Sequence, residues 1–328
     1  MKWDVRLEVG NYCNLRCPLC VREILDNTVL NSIHLPLEDV RKFLPRFFLH
    51  NQVSSVFLSG AVAEPTLNPE FIEIVKYLMK YSEVVIDSNG STRDVKWWAE
   101  LGATGVHCDF APDSIKPNNN KYRINSNTDK VIENMRAFVA AGGSASWKFI
   151  PYTHNEDEME EQKCIAQSIG AKFTLIQPRD ASGFDNVKNS SAFADGQYVE
   201  SYVDAGTPHS YCKLFGNVVV GLIEISPEGI VYPCCMMPRQ FYTVYRDYFA
   251  NGITTPNLSS YERPKYQSFI DTVVSLIEDS GGIESLSLYK HSITDILKNK
   301  FYTNLQKSWD DKAHFCNNYC DHAKYKLE

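Results

Sequence analysis

Cys13, Cys17 and Cys20 stand in the run Asn11-Tyr-Cys-Asn-Leu-Arg-Cys-Pro-Leu-Cys20, with the spacing Cys-x3-Cys-x2-Cys. Thiolates spaced in this way suit an iron–sulfur cube, which ordinarily takes four cysteine ligands. Three ligands leave one iron corner open to chelation by a small molecule. A tetrahedral zinc site needs a fourth ligand close by. None is near, since the next histidine is His34 and the next cysteine Cys108. The loop is therefore suited to one-electron chemistry on whatever molecule binds the open corner.

A second set of cysteines lies far along the chain: Cys212, Cys234, Cys235, then the close pair Cys316 and Cys320. Gly229-x4-Cys234 follows a hairpin-like stretch, and Cys212, Cys234, Cys316 and Cys320 together would saturate a second cluster, with Cys235 an alternative to Cys234. Thiolate-only sites also suit structural zinc, and buried free thiols are common. Both alternatives stay open.

The elements that must carry these residues are readable. Strand-like runs cover 3–9, 55–59, 84–88, 105–110, 144–152 and 172–177, and nearly all-apolar strands of this kind point to a buried parallel sheet. Between them, Phe71, Ile74, Val75 and Leu78 recur at helical spacing behind Asn68-Pro69. Val131, Ile132, Met135, Phe138 and Val139 make a second stripe, opened by Thr128 and stopped by Gly142-Gly143. A third helical segment begins at Asn155, carries Met159, Gln162, Ile165 and Ile169, and ends at Gly170. Six strand–helix repeats are too few for an eight-fold barrel, so the expected fold is α/β: a partial (β/α)6 TIM-type barrel. After a polar linker at 179–210, residues 218–232 read as two strands joined at Pro227-Glu-Gly229, a hairpin, followed by helical texture at 261–308. The expected division is a barrel with linker at 1–200 and a smaller domain at 201–328.

The chain has 328 residues, 44% hydrophobic and 22% charged, with a net charge of −7. A mildly acidic chain without a Lys/Arg stripe is poorly equipped to neutralise nucleic-acid phosphates. The first residues lack the apolar core of an export signal and no stretch approaches a membrane span. Ten cysteines without export read as metal ligands and thiols in a reducing cytoplasm rather than as a disulfide frame.

The N-terminal cysteine run resembles the signature of the radical S-adenosylmethionine (SAM) enzymes, in which methionine amino and carboxylate groups occupy the open iron of a [4Fe-4S] cluster. Further elements share the resemblance. Ser59-Gly-Ala-Val-Ala-Glu64-Pro65 is similar to the family's Gly-Gly-Glu-Pro element, whose acid accepts from the SAM ammonium, with alanine at 63 in place of glycine. Ser88-Asn89-Gly90 resembles the Thr-Asn-Gly turn near the methionine moiety. Tyr122-Arg123 resembles an element whose arginine pairs with the SAM carboxylate, a planar bidentate task suited to Arg. The residue before the third cysteine, usually aromatic, is Leu19, and the fourth strand ends His107-Cys108-Asp109 where the family has Ser-Ile-Asp. Asp109 and His154, at strand ends, are the candidates for meeting substrate or moving a proton. The Gly-x4-Cys element looks like the auxiliary-cluster domain called SPASM, or its shorter form, twitch, and the small number of cysteines favours twitch with one auxiliary [4Fe-4S] cluster.

The resemblance implies an oxidoreductase or modifying enzyme that takes electrons from a flavodoxin- or ferredoxin-type reductant and abstracts hydrogen through a 5′-deoxyadenosyl radical. It implies peptide or protein modification (oxidation, crosslinking or epimerisation), with dehydrogenation or epimerisation of a carbohydrate-type small molecule second. The rival from another class is a zinc- or iron–sulfur-binding protein without catalysis.

Overall fold

The computed structural model describes residues 2–24, 32–60, 62–116, 120–176, 188, 190, 220–233, 242, 244–245, 248, 251–256 and 264–309. The strands are β1 (Lys2–Leu7), β2 (Val53–Leu58), β3 (Glu83–Ser88), β4 (His107–Phe110), β5 (Ser144–Phe149), β6 (Lys172–Leu175), β7 (Val220–Ile225) and β8 (Val231–Tyr232). The helices are α1 (Val21–Ile24), α2 (Leu37–Phe43), α3 (Arg46–Gln52), α4 (Phe71–Leu78), α5 (Val95–Gly102), α6 (Thr128–Ala140), α7 (Met159–Ile169), α8 (Pro264–Glu278), α9 (Ile293–Leu297) and α10 (Lys300–Trp309). Strands β1 to β6 form a parallel run in sequence order. This is the expected α/β fold with a parallel sheet.

The strands are not the all-apolar runs that the sequence suggested. Trp3, Val5 and Leu7 of β1, Val84 and Ile86 of β3, Cys108 and Phe110 of β4, and Ala145, Trp147 and Phe149 of β5 belong to one apolar core. The same core takes Phe71, Ile74, Val75 and Leu78 of α4, Trp98 and Leu101 of α5, and Val131, Met135 and Phe138 of α6. Alternate positions of the same strands are polar: Asp4, Arg6, Asp87, Asp109, Ser146 and Lys148. Period-two alternation puts these side chains together on the opposite face of the sheet. The helices' face holds the fold, and the other face is left for function.

Local chemistry sets the helix ends. The Asp94 side chain accepts from Trp97 N–H at 2.9 Å and caps α5. The cap of α6 is Asn127, which accepts from Lys130 N–H at 3.1 Å. Thr128, the expected opener, instead donates its hydroxyl to Ser114 C=O at 2.7 Å. The segment expected to be helical from Asn155 first makes a 3-10 turn at Glu156–Glu158, and α7 follows, ending at Gly170 with φ 85°. That left-handed cap is cheap only for glycine.

The hairpin read at 218–232 exists, as β7 and β8. Within the described residues β7 pairs in parallel with β1, Arg6 against Glu224, so the sheet runs β6-β5-β4-β3-β2-β1-β7-β8. Val273, Ile277, Ile283, Leu286, Ile296, Phe301 and Leu305 join the same apolar core as the strands. Cys212, Cys234, Cys235, Cys316 and Cys320 lie outside the described residues. Among the described residues no helix is long and apolar enough to cross a membrane.

Candidate active site

The cysteine loop leaves the carboxyl end of β1, where ligands of parallel sheets gather. It is held at its base by Leu35 N–H on Val9 C=O at 3.0 Å and by the Asn11 amide, which donates to Glu228 Oε1 at 3.1 Å and accepts from Ile33 N–H at 2.9 Å. Arg16 N–H reaches Ile124 C=O at 3.1 Å, and Cys20 N–H reaches Cys17 C=O at 2.9 Å. Leu15, Leu19, Tyr122 and Tyr152 are buried around Cys17, with Cys13 and Cys20 packed against them.

Burial pushes the Cys13 thiol up to about 12 and the Cys17 thiol upward too, the latter against the pull of the Arg123 guanidinium. Such thiols keep their protons until a metal cation replaces them. N–H donors already face the sulfurs: Leu15 N–H at 3.4 Å and the Asn89 amide at 3.9 Å from Cys13, and Arg123 at Cys17. Donors of this kind tune iron–sulfur clusters. Among the described residues no three His, Cys, Asp or Glu side chains are grouped to hold a metal ion. A cube does not ask that of them, because each thiolate grips a different iron. The loop's residues fit a cluster.

Glu64 is buried beside this loop and caps the 3-10 turn Pro65–Leu67. Its Oε1 accepts from Thr66 N–H at 3.2 Å, Thr66 Oγ1 at 2.6 Å and Ser88 Oγ at 2.7 Å, and its Oε2 accepts from Asn89 N–H at 2.8 Å. Burial pushes the carboxyl up, and these donors pull it down. A carboxylate has about four acceptor sites, so Oε2 is where room for one more donor is left. Glu64 thus ties the end of β2 to the turn after β3, and its own N–H binds Tyr12 C=O at 2.9 Å. The Asn89 amide donates to Asn14 Oδ1 at 2.9 Å, and Asn14 donates to Ser91 Oγ at 2.9 Å. Gly90 has φ 70°, and an added Cβ would lie 2.8 Å from Phe110 Cδ1, so this turn needs glycine on two counts. Asn89, expected with Ser88 beside the methionine end of SAM, reaches the cysteine loop, and Ser88 braces Glu64.

Asp113 is a site residue that sequence reasoning missed. Its Oδ2 accepts from Tyr122 N–H at 2.9 Å and Arg123 N–H at 3.2 Å, while Oδ1 meets His154 Nε2 at 3.0 Å. The His154 and Asp113 side chains are 3% and 1% exposed. His154, the candidate for meeting substrate or moving a proton, faces this carboxylate. The Arg123 guanidinium stands over the Tyr122 ring, 5.3 Å from its centre, and near Cys17.

On the polar face of the sheet Lys148 Nζ bridges Asp109 Oδ2, at 2.8 Å, and Asp87 Oδ1. Asp109 Oδ1 meets His107 Nε2 at 3.0 Å, and the His107 ring also reaches Ser144 Oγ at 2.9 Å and Ser146 Oγ at 3.1 Å. Burial pushes the Asp109 carboxyl up, but His107 and the Lys148 ammonium outweigh it and hold it at about 2. Lys148 is shifted upward: burial works against its charge, and Asp87 and Asp109 more than offset that. Asp87, Asp109 and Lys148 are each the penultimate residue of adjacent parallel strands, so they form one charged layer at the sheet's carboxyl end. Of this layer the sequence singled out Asp109 alone.

The chain is 26% identical over 212 residues to GTP 3',8-cyclase 1 of Mycobacterium tuberculosis, covering 61% of this chain and 58% of that protein's length. It is 30% identical over 109 residues to GTP 3',8-cyclase of Cronobacter sakazakii, covering 31% of this chain and 32% of that protein. In fold it is similar to Streptococcus suis SuiB bound to S-adenosylmethionine, with TM-score 0.56, 16% identity, and 72% of this chain and 61% of that chain covered. Native anSMEcpe with bound AdoMet aligns over 94% of this chain and 100% of that chain, with TM-score 0.51 and 14% identity. The sequence model of the Radical SAM superfamily matches residues 7–164. That match begins at the last residue of β1 and ends inside α7, taking in the cysteine loop and the turns beside it, so this stretch of the chain is similar to the Radical SAM superfamily.

Proposed function

We propose that the protein is an enzyme that reductively cleaves SAM and abstracts hydrogen from a substrate seated on the polar face of its sheet. The observation that supports this is the clasp of the cysteine loop by Asn89, on Cys13 and Asn14, and by Glu64 N–H on Tyr12 C=O, with Ser88 bracing Glu64, at the carboxyl ends of β1 to β3. Cys13, Cys17 and Cys20 would hold a [4Fe-4S] cluster, which when bound supplies the electron that splits SAM into methionine and a 5′-deoxyadenosyl radical. Glu64 Oε2 would take the ammonium of SAM and Arg123 its carboxylate, a charge-assisted pairing at each end. Leu15, Leu19, Tyr122 and Tyr152 keep water from the loop. The Asp87–Lys148–Asp109 layer would orient the substrate carbon, and that positioning is the protein's share of the chemistry.

Cys212, Cys234 or Cys235, Cys316 and Cys320 would hold a second cluster in a twitch-like region and accept an electron from the substrate radical, making the net reaction an oxidation. A flavodoxin- or ferredoxin-type protein would supply electrons from outside. Modification of a peptide or protein is the first substrate reading. The second, a carbohydrate-type small molecule, is favoured by the charged layer, whose carboxylates suit hydroxyl donors.

The test is anaerobic reconstitution of the full chain with iron and sulfide, reduction with dithionite in the presence of SAM, and assay for 5′-deoxyadenosine. Its appearance with the wild-type chain and its loss in Cys13→Ala are expected. A cluster-loaded, SAM-bound protein that releases none would refute the proposal.

A further inference from the structure

We propose that Asp113, locked by His154, is a positioning residue that sets the Arg123 guanidinium against Cys17 and so fixes both the potential of the cluster and the affinity for SAM. The proposal rests on reading Cys13, Cys17 and Cys20 as cluster ligands. Asp113 is built as an anchor. Its backbone C=O accepts from the Asn155 amide at 3.1 Å and the Gln162 amide at 3.1 Å. The next residues are clamped to the 3-10 turn before α7 through Glu158, which accepts from Ser114 Oγ at 2.6 Å and Ile115 N–H at 2.7 Å. The loops after β4 and β5 and the helix α7 therefore meet at this one residue.

The carboxylate spends its outer oxygen, Oδ2, on the backbone of Tyr122 and Arg123. Two N–H groups on one carboxylate oxygen fix the start of that segment, and Arg16 N–H on Ile124 C=O fixes its far side to the cysteine loop. From there the Arg123 guanidinium lies over Tyr122 and beside the Cys17 sulfur. The inner oxygen, Oδ1, faces His154 Nε2, with the Asn155 amide at 3.3 Å, so the carboxylate cannot rotate away. A buried carboxylate is costly unless it is well bonded, and this one is bonded on every side.

Reduction of a cluster adds negative charge, which a fixed guanidinium beside a ligating sulfur stabilises. Holding Arg123 in place therefore raises the potential, and releasing it lowers the potential. It also removes the preset partner for a carboxylate ligand.

The test uses the full chain, reconstituted anaerobically, with Asp113→Asn and Asp113→Ala. Both lack the charge, but only Asn keeps an oxygen for the Tyr122 and Arg123 N–H groups, so their difference isolates positioning from charge. Cluster midpoint is read by EPR-monitored redox titration and SAM affinity by equilibrium dialysis. The Ala variant should lie below the Asn variant by at least the ~59 mV of a tenfold change for one electron, and bind SAM about tenfold more weakly. Equal midpoints and affinities in the two would overturn the proposal. If Asp113→Ala yields no folded protein, His154→Ala decides: a fall in midpoint relative to wild type supports the lock, and a wild-type midpoint and affinity refute it. A wild-type chain that loads no cluster refutes the proposed function instead, a separately visible result.

Discussion

Lys148→Met tests whether the charged layer is an electrostatic unit. Lys148 lies between Asp109 and Asp87, with side-chain exposures of 13%, 12% and 35%. The variant leaves two carboxylates facing each other without their cation. Despite burial, Asp109 is held at about 2 against its ordinary 3.8, by the His107 hydrogen bond first and the Lys148 ammonium second, so only part of that shift is lost with Lys148. Asp87 is exposed enough that its share is discounted for solvent screening. Removing one partner of a buried pair costs about 3–5 kcal/mol, so the expected loss is about 2–4 kcal/mol at pH 7. Because the Asp109 carboxyl is held down, its contribution is full above 3.8 and is lost as pH falls through that value toward about 2. The ammonium is shifted the other way, so its contribution is full below 10.5 and lost only at higher pH. Urea unfolding of the reduced, iron-free chain at pH 7 and at steps down to pH 3 measures both. A cost below about 1 kcal/mol at pH 7, or one unchanged at pH 3, would refute the reasoning.

Three further outcomes are expected. Cys17→Ser should lose the brown colour and the absorption near ~400 nm of thiolate-bound iron–sulfur centres, read by spectroscopy after reconstitution. Cys316→Ala should lower bound iron from about eight to about four per chain, read by iron and sulfide assay. Glu64→Gln must turn an NH2 toward Asn89 N–H or toward the three donors at Oε1, and should cost about 2–4 kcal/mol in urea unfolding even without SAM. A Glu64→Gln chain as stable as wild type would show that the turn does not depend on this carboxylate.

The strand–helix alternation was legible because the buried half of each strand and the stripes of α4 and α6 are apolar at fixed spacing. Helices α2 and α3 were not, since they are short and set off by Pro36 and Pro45, which read as breaks. The polar face was hidden by its own periodicity. Lys148 between apolar neighbours looks like a solvent-facing strand position, and only the neighbouring strands reveal that it meets Asp87 and Asp109. Cys13, Cys17, Cys20 and Glu64 could be singled out because their spacing is local. Asp113 was not, because its partners, Tyr122, Arg123 and His154, come from loops after two different strands. His154 was singled out as a strand-end residue, a position that says nothing of whether the ring faces substrate or a carboxylate.

The strand that launches the cysteine loop is flanked by β2 on one side and β7 on the other, and Asn11 binds Glu228 across 217 residues. During synthesis at ~5–20 residues per second, those partners emerge roughly 10–40 s after Cys20. Through that interval one edge of β1 presents bare peptide groups, and the loop lacks its amide tether. Until residues 220–228 are made, the nascent chain thus carries thiols whose loop lacks its full support. A chain ending before residue 220 would be unable to complete the nest, whatever its first 200 residues encode.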